Sequence, residues 1–136
     1  EPETAIYHFA LGQLLHGFRQ EFLNEELFTK DAFEREMLEA FRRATEIEPD
    51  NFDYQMRLGE AYYDLSSPDW KSALLHWNKL RKKARTGLQV ELLDLHRSRV
   101  LGKLGRIDEA VELMDTVLNP ALQQSKQQVL EEITQL

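Results

Sequence analysis

The sequence predicts an all-α fold, and three observations carry that prediction. Apolar residues return at three- or four-residue steps almost throughout the chain, the spacing that gives a helix one buried face. Alternating β-rich runs joined by tight Asn-Gly or Asp-Gly turns are absent. Pro49, Pro68 and Pro120 each stand beside Asp, Asn or Ser, the chemistry that stops one helix and starts the next.

A first helix is predicted over Thr4 to Leu23, where Ile6, Phe9, Ala10, Leu14, Phe18 and Phe22 form one stripe and Gln13, Arg19 and Gln20 lie on the polar side. The second begins near Asp31, which with Glu34 makes a capping-box-like pair. Ala32, Phe33, Leu38, Phe41, Ala44 and Ile47 continue it until Pro49, which restricts Glu48 and ends the helix. Asp50 and Asn51 are suitable caps for a third helix reaching about Leu65. For the fourth, Ser67 caps, Pro68 takes the first helical position and Asp69 meets the positive helix end, with the helix continuing to about Arg85. Gly87 offers a left-handed closing residue, a fifth helix covers about Leu88 to Leu104, and Gly105 stops it. Asp108 and Glu109 open a sixth helix ending near Leu118. Asn119-Pro120 starts a seventh, on which Leu122, Val129, Leu130 and Ile133 make a single apolar stripe.

With 136 residues, 42% apolar and 30% charged, the chain suits one folded domain with a real core and not a disordered segment. It contains no cysteine, so disulfides, thiol nucleophiles and thiolate metal sites are excluded. No apolar run approaches the roughly 20 residues of a membrane-spanning helix, and the first residues lack the basic start and apolar block of a signal peptide. Opening at Glu1 with no initiator Met, the chain reads as a processed product or a piece of a longer protein. The cytoplasm is the expected compartment, with the periplasm or attachment to a larger protein as alternatives.

Phe41, Ala44, Pro49, Leu58, Gly59 and Tyr62 follow the spacing F-x2-A-x4-P-x8-L-G-x2-Y. This resembles the seam between two tetratricopeptide repeats, units of about 34 residues in which two helices cross at small residues. The middle unit, about 50–86, matches best: Leu58, Gly59 and Tyr62 on its first helix, Ala73 and Trp77 on its second, with Gln55 where the family usually has a large aromatic. The first, about 5–49, supplies Leu11, Gly12 and Leu15, then Phe41, Ala44 and Pro49. Met37 stands where Ala is usual, and the stretch over 20–30 is an extended helix or an inserted loop. The third, about 88–118, is good around Leu104 to Ala110, but Arg97 and Ser98 replace Leu-Gly and Pro120 falls early. The resemblance implies a right-handed superhelical stack of about three helix-turn-helix pairs, closed by a capping helix over 120–134.

The net charge of −7 hides a segregation: residues 71–106 hold ten Lys or Arg against Glu91 and Asp94, a net +8, while residues 1–70 net −10 and residues 107–136 net −5. Arg81, Lys82, Lys83, Arg85, Arg97, Arg99 and Lys103 either form a patch for an acidic peptide, phosphate or RNA, or complement helix ends and acidic neighbours within the fold. The acidity of the whole chain favours the second reading and makes nucleic acid an unlikely partner.

In the resembled family the first helix of each pair lines a concave groove. Carried over, that groove presents Phe9 and Gln13, then Asp53, Met56, Glu60 and Tyr63, then Leu95, Arg99 and Lys103. Met56 and Glu60 stand at two places of the Lys, Asn and Arg clamp with which chaperone-tail-binding relatives hold a terminal carboxylate, so no such clamp is expected. The histidines lack the His-x3-His or Glu-x2-His spacing of metal-binding helices. Glu25-Glu26 and Glu131-Glu132 read as solvated helix faces, and no phosphate loop or nucleophile elbow is present. The expected function is therefore a non-catalytic scaffold holding a peptide or partner helix, without cofactor, metal or small-molecule substrate. A self-associating structural domain of a larger protein is the alternative, and nucleic-acid binding through the basic band comes third.

Overall fold

Five short polar side chains start five elements of this chain by accepting a backbone N–H from the turn that follows. They are Thr29 (from Ala32), Asn51 (from Tyr54), Asp69 (from Ser72), Thr86 (from Gln89) and Asn119 (from Ala121). Each bond satisfies a donor that the first helical turn leaves without a partner. A computed structural model describes residues 4–24 and 29–135, which contain eight α-helices, two 3-10 turns and no strand. The chain is all-α, as its periodicity predicts. It divides into two compact units, meeting at Pro68 and Asp69. The repeat expected over 50–86 thus has its first helix in one unit and its second in the other.

The first unit holds α1 (Ala5–Gly17), α2 (Arg19–Asn24), α3 (Lys30–Ile47), α4 (Phe52–Ala61) and a 3-10 turn (Tyr62–Asp64). The single helix expected over Thr4 to Leu23 is broken at Phe18, whose φ of −114° and ψ of 26° leave the helical region. Gly17 just before it weakens the helix there. The side chain of Phe22 lies outside the described residues, as do Glu25 and Glu26. Helices α1 and α4 both pack on α3, around a core of Leu15, Phe33, Met37, Phe41, Leu58 and Ala61. The approach of α1 to α3 is closest at Gly12, where a Cβ would stand 2.7 Å from the Phe41 ring.

Helix α3 starts from Thr29 and not from Asp31, and Glu34 makes no capping box. Its carboxylate turns inward, accepting from Arg19 Nη2 at 2.6 Å and from Ser66 N and Oγ at 3.1 and 2.6 Å. Helix α4 stops at Ala61 and tightens into the 3-10 turn instead of running on to Leu65.

The second unit holds α5 (Trp70–Arg81), α6 (Gly87–Lys103), α7 (Ile107–Met114), a 3-10 turn (Pro120–Leu122) and α8 (Gln123–Thr134). Asp69, and not Ser67, caps α5. Helix α5 also ends four residues before the expected Arg85, as the N–H groups of Lys83 and Ala84 close turns on Leu80 and Arg81. Gly87 is the first residue of α6 and not a left-handed terminator. Gly105, at φ 80°, is the described glycine that takes that role. Helix α7 ends at Met114, earlier than expected. Helix α6 is central, with α5, α7 and α8 all packed on it. Leu95, Leu101, Ala110, Met114, Val117, Leu122, Val129 and Ile133 form the core.

The residues assigned to repeat architecture are mostly interior. Phe41, Ala44, Ala73, Trp77 and Ala110 are fully buried, Leu58, Gly59, Tyr62 and Gly12 nearly so, Leu11 is half-buried, and Pro49 is exposed just past α3.

Candidate functional site

The groove row expected from the first helix of each pair meets three fates. On α1, Phe9 is half-buried, its ring stacked at 4.6 Å on Tyr54 and edge-on at 5.8 Å to Phe41. Gln13 accepts a hydrogen bond from Arg57 Nε at 2.9 Å, while the Arg57 guanidinium lies 4.5 Å over the Phe41 ring. These two residues therefore seat α4 on α1. On α4 and its 3-10 turn, Asp53 and Glu60 are exposed while Met56 and Tyr63 are half-buried, so this part of the row keeps a solvent-facing edge.

On α6 the row is largely covered. Leu95 is 4% exposed and belongs to the core that contains Val129 and Ile133 of α8, so it lines no groove. Arg99 Nε donates to Glu132 Oε2 of α8 at 3.0 Å. The physical reason is the apolar stripe of α8, which is buried only by lying along this face of α6. Lys103 stays exposed, with Nζ 5.9 Å from the centre of the Trp70 ring.

The basic band is partly neutralised inside its own unit. Asp94, with a side chain only 3% exposed, accepts from Arg81 Nε at 2.7 Å and Arg97 Nη1 at 2.9 Å. The hydrogen bond to Asp94 holds the Arg81 pKa above its ordinary value, against the opposing effect of burial. Arg99 is paired to Glu132, while Lys82, Lys83, Arg85 and Lys103 are exposed.

One concave feature of the second unit carries no sequence motif. Between α5 and α7, floored by α6, lies an open cavity of about 400 Å³ walled by Leu74, Leu101 and Leu113 with Asn78, Arg97, Arg106, Glu109, Glu112 and Thr116. A second cavity of about 400 Å³ continues it past Leu74, Asn78 and Arg106 to Lys71, Leu75 and Leu104. The cleft is thus lined by leucines interspersed with polar groups and charges of both signs. Arg97 Nε is oriented by Asn78 Oδ1 at 2.7 Å. Arg106 pairs with Glu109, whose pKa is lowered by that hydrogen bond. The signal in the sequence was the Leu74-Leu75 pair: adjacent residues on a helix diverge by about 100°, and Leu75 is 55% exposed.

Other polar clusters are small. His16 Nε2 lies 3.3 Å from Asp64 Oδ2, which Arg57 also approaches at 3.6 Å. Among the described residues no three His, Asp or Glu side chains could hold a metal ion together, and no helix is long and apolar enough to cross a membrane. Comparison of the chain with protein-family models, curated proteins and solved structures finds no match.

Proposed function

We propose that this chain is a non-catalytic helical binding module of the tetratricopeptide kind, holding a peptide or partner helix. The observation that carries the reading is the cleft over α6, lined by Leu74, Leu101 and Leu113 together with Lys71, Arg97, Arg106, Glu109 and Glu112. Apolar walls with a few fixed polar groups suit a peptide that buries aliphatic side chains and is oriented at its ends. The cleft sets Lys71, Arg97 and Arg106 against Glu109 and Glu112, with Arg97 bound to Asp94 and Arg106 to Glu109, so the aliphatic side chains of the peptide and not its charge are what the site selects. Support for the repeat reading comes from Gly12 under Phe41 and from the α6–α7 pair, where Ala110 is fully buried. Helix α8, polar on its outer side, is the kind of closing element a helical stack requires. The row Asp53, Met56, Glu60 and Tyr63 on the first unit, in which Asp53 and Glu60 are exposed, is the second place where such a ligand would sit.

Selection of a displayed peptide library on the protein tests this and separates the two places. Enriched peptides should share leucine-like residues at helical or extended spacing. Titration calorimetry should show at least about tenfold weaker binding to a Lys71→Glu plus Leu75→Glu protein, with helical circular dichroism unchanged. Loss on Met56→Glu plus Tyr63→Ala instead would move the site to the first unit. Failure to enrich any peptide would count against a binding module.

A further inference from the structure

Helix α1 is apolar on both sides. One side, with Ala5, Gly12 and Leu15, is buried. Roughly the opposite third of its circumference presents Ile6, Tyr7, Ala10, Leu14, Gly17 and Phe18, of which Ile6 is 68% exposed and Tyr7, Leu14 and Phe18 are each 49% exposed. A helix apolar all round is ordinarily enclosed, and four large apolar side chains on one rigid face exceed the scattered exposure of an ordinary surface. Helix α8 shows the contrast, with Gln123, Gln124, Gln127, Gln128 and Glu131 on its open side.

Charge selects what covers this face. From Ala5 to Gly17 there is no Asp, Glu, Lys or Arg, within a segment, residues 1–70, that nets −10. A second copy meeting most of that surface sets acid on acid, which is unfavourable; along α1 two copies meet with no charge opposed. The same acidity disfavours an anionic membrane surface. We propose that α1 is the interface of a symmetric, antiparallel homodimer. A two-fold axis near the middle of the helix sets Ala10 level with Leu14 of the second copy, Tyr7 with Gly17, and Ile6 with Phe18. Two of these three levels oppose a small residue to a large one, the complementarity that lets helices interdigitate. At Gly17 nothing lies within 4 Å of where a Cβ would stand, leaving room for the Tyr7 ring.

Sedimentation of the whole chain at concentrations up to several hundred micromolar tests the proposal. A concentration-dependent rise in mass from monomer to dimer is expected within that range. It should persist at about 1 M NaCl, since apolar burial is not screened by salt. Leu14→Glu enters the interface twice by symmetry and should weaken the dimer by more than about a hundredfold, with circular dichroism unchanged because Leu14 is half exposed. Because the chain has no cysteine, Ala10→Cys and Leu14→Cys proteins can be mixed and oxidised. The mixed disulfide should form faster than either homodisulfide. A monomer at every concentration overturns the proposal, as does a dimer lost at high salt or indifferent to Leu14→Glu.

Discussion

His96 stands on α6 with its ring stacked 4.1 Å from that of Trp77, and burial, together with the positive charge of Arg99 and the neighbouring His76, pushes its pKa from 6.5 down to about 3. The folded protein keeps this imidazole neutral, while the unfolded chain takes up a proton below pH 6.5. Stability is therefore full above that pH and falls as pH drops toward the folded value. Between pH 7.5 and pH 5 the expected loss from this group is about 2 kcal/mol. Urea unfolding at the two pH values should show it, and His96→Phe, which keeps a ring against Trp77, should remove most of the difference.

Glu34 acts lower in the pH range. Burial alone would raise its pKa, but hydrogen bonds from Ser66 and Arg19 outweigh burial and hold it below 4.5. Its contribution is present above the ordinary carboxylate range and disappears as pH falls through the lowered value. Glu34→Ala should cost about 2 kcal/mol in thermal or urea unfolding at pH 7, since it strands a half-buried guanidinium and a backbone N–H. Both groups are legible in the sequence as residues but not as roles. Glu34 looked like a capping acid because its partners Arg19 and Ser66 lie 15 and 32 positions away.

Among elements, the best-read features were those decided within one turn. Asn51, Asn119 and Gly105 do what their chemistry predicts, because a cap or a left-handed residue depends on its immediate neighbours. Asp31, Ser67 and Gly87 competed with Thr29, Asp69 and Thr86 a few residues away, and local pattern does not rank such rivals. The α1–α3 crossing makes a sharper prediction. Gly12→Ala should destabilise by about 1–3 kcal/mol in urea unfolding, because its methyl meets a Phe41 ring that is fully buried and has nowhere to move. Phe41→Leu in the same chain should recover part of that loss, a coupling a double-mutant cycle measures. At Gly105, with φ 80°, alanine has open space but a strained backbone, and about 1 kcal/mol should be lost.

For the whole molecule, each of the two units has its own core. Residues 69–136 expressed alone should give a helical spectrum and a cooperative thermal transition; a flat melt would show that this core does not suffice. The expected stack of pairs divides the chain differently, at Pro49 and near Gly87, because the repeat pattern reads helices in sequence order whereas a core forms wherever apolar faces meet. Charge followed the same rule. The basic band was visible at once, but its pairing with Asp94 and Glu132 depends on which helix lies beside α6.

The candidate site divides along that line as well. The family resemblance put Asp53, Met56 and Glu60 on a groove-facing side of a helix; Asp53 and Glu60 are exposed and Met56 is half-buried. The same resemblance put Leu95 on an open face, and α8 covers it. The cleft between α5 and α7 had no motif, since its walls come from three helices and its shape from the angle at which they pack.

The sequence by itself determined that this chain is helical, where most of its helices begin, and how its charge is segregated. Those properties arise from spacing and capping within a few residues of each other. Only the tertiary structure decided which apolar stripe of α1 is buried and which is left open, that α8 closes over Leu95, and that Glu34 and His96 are enclosed. Each of those outcomes rests on contacts between distant segments, whose free energy is a sum over many weak, close-packed interactions that no local pattern encodes.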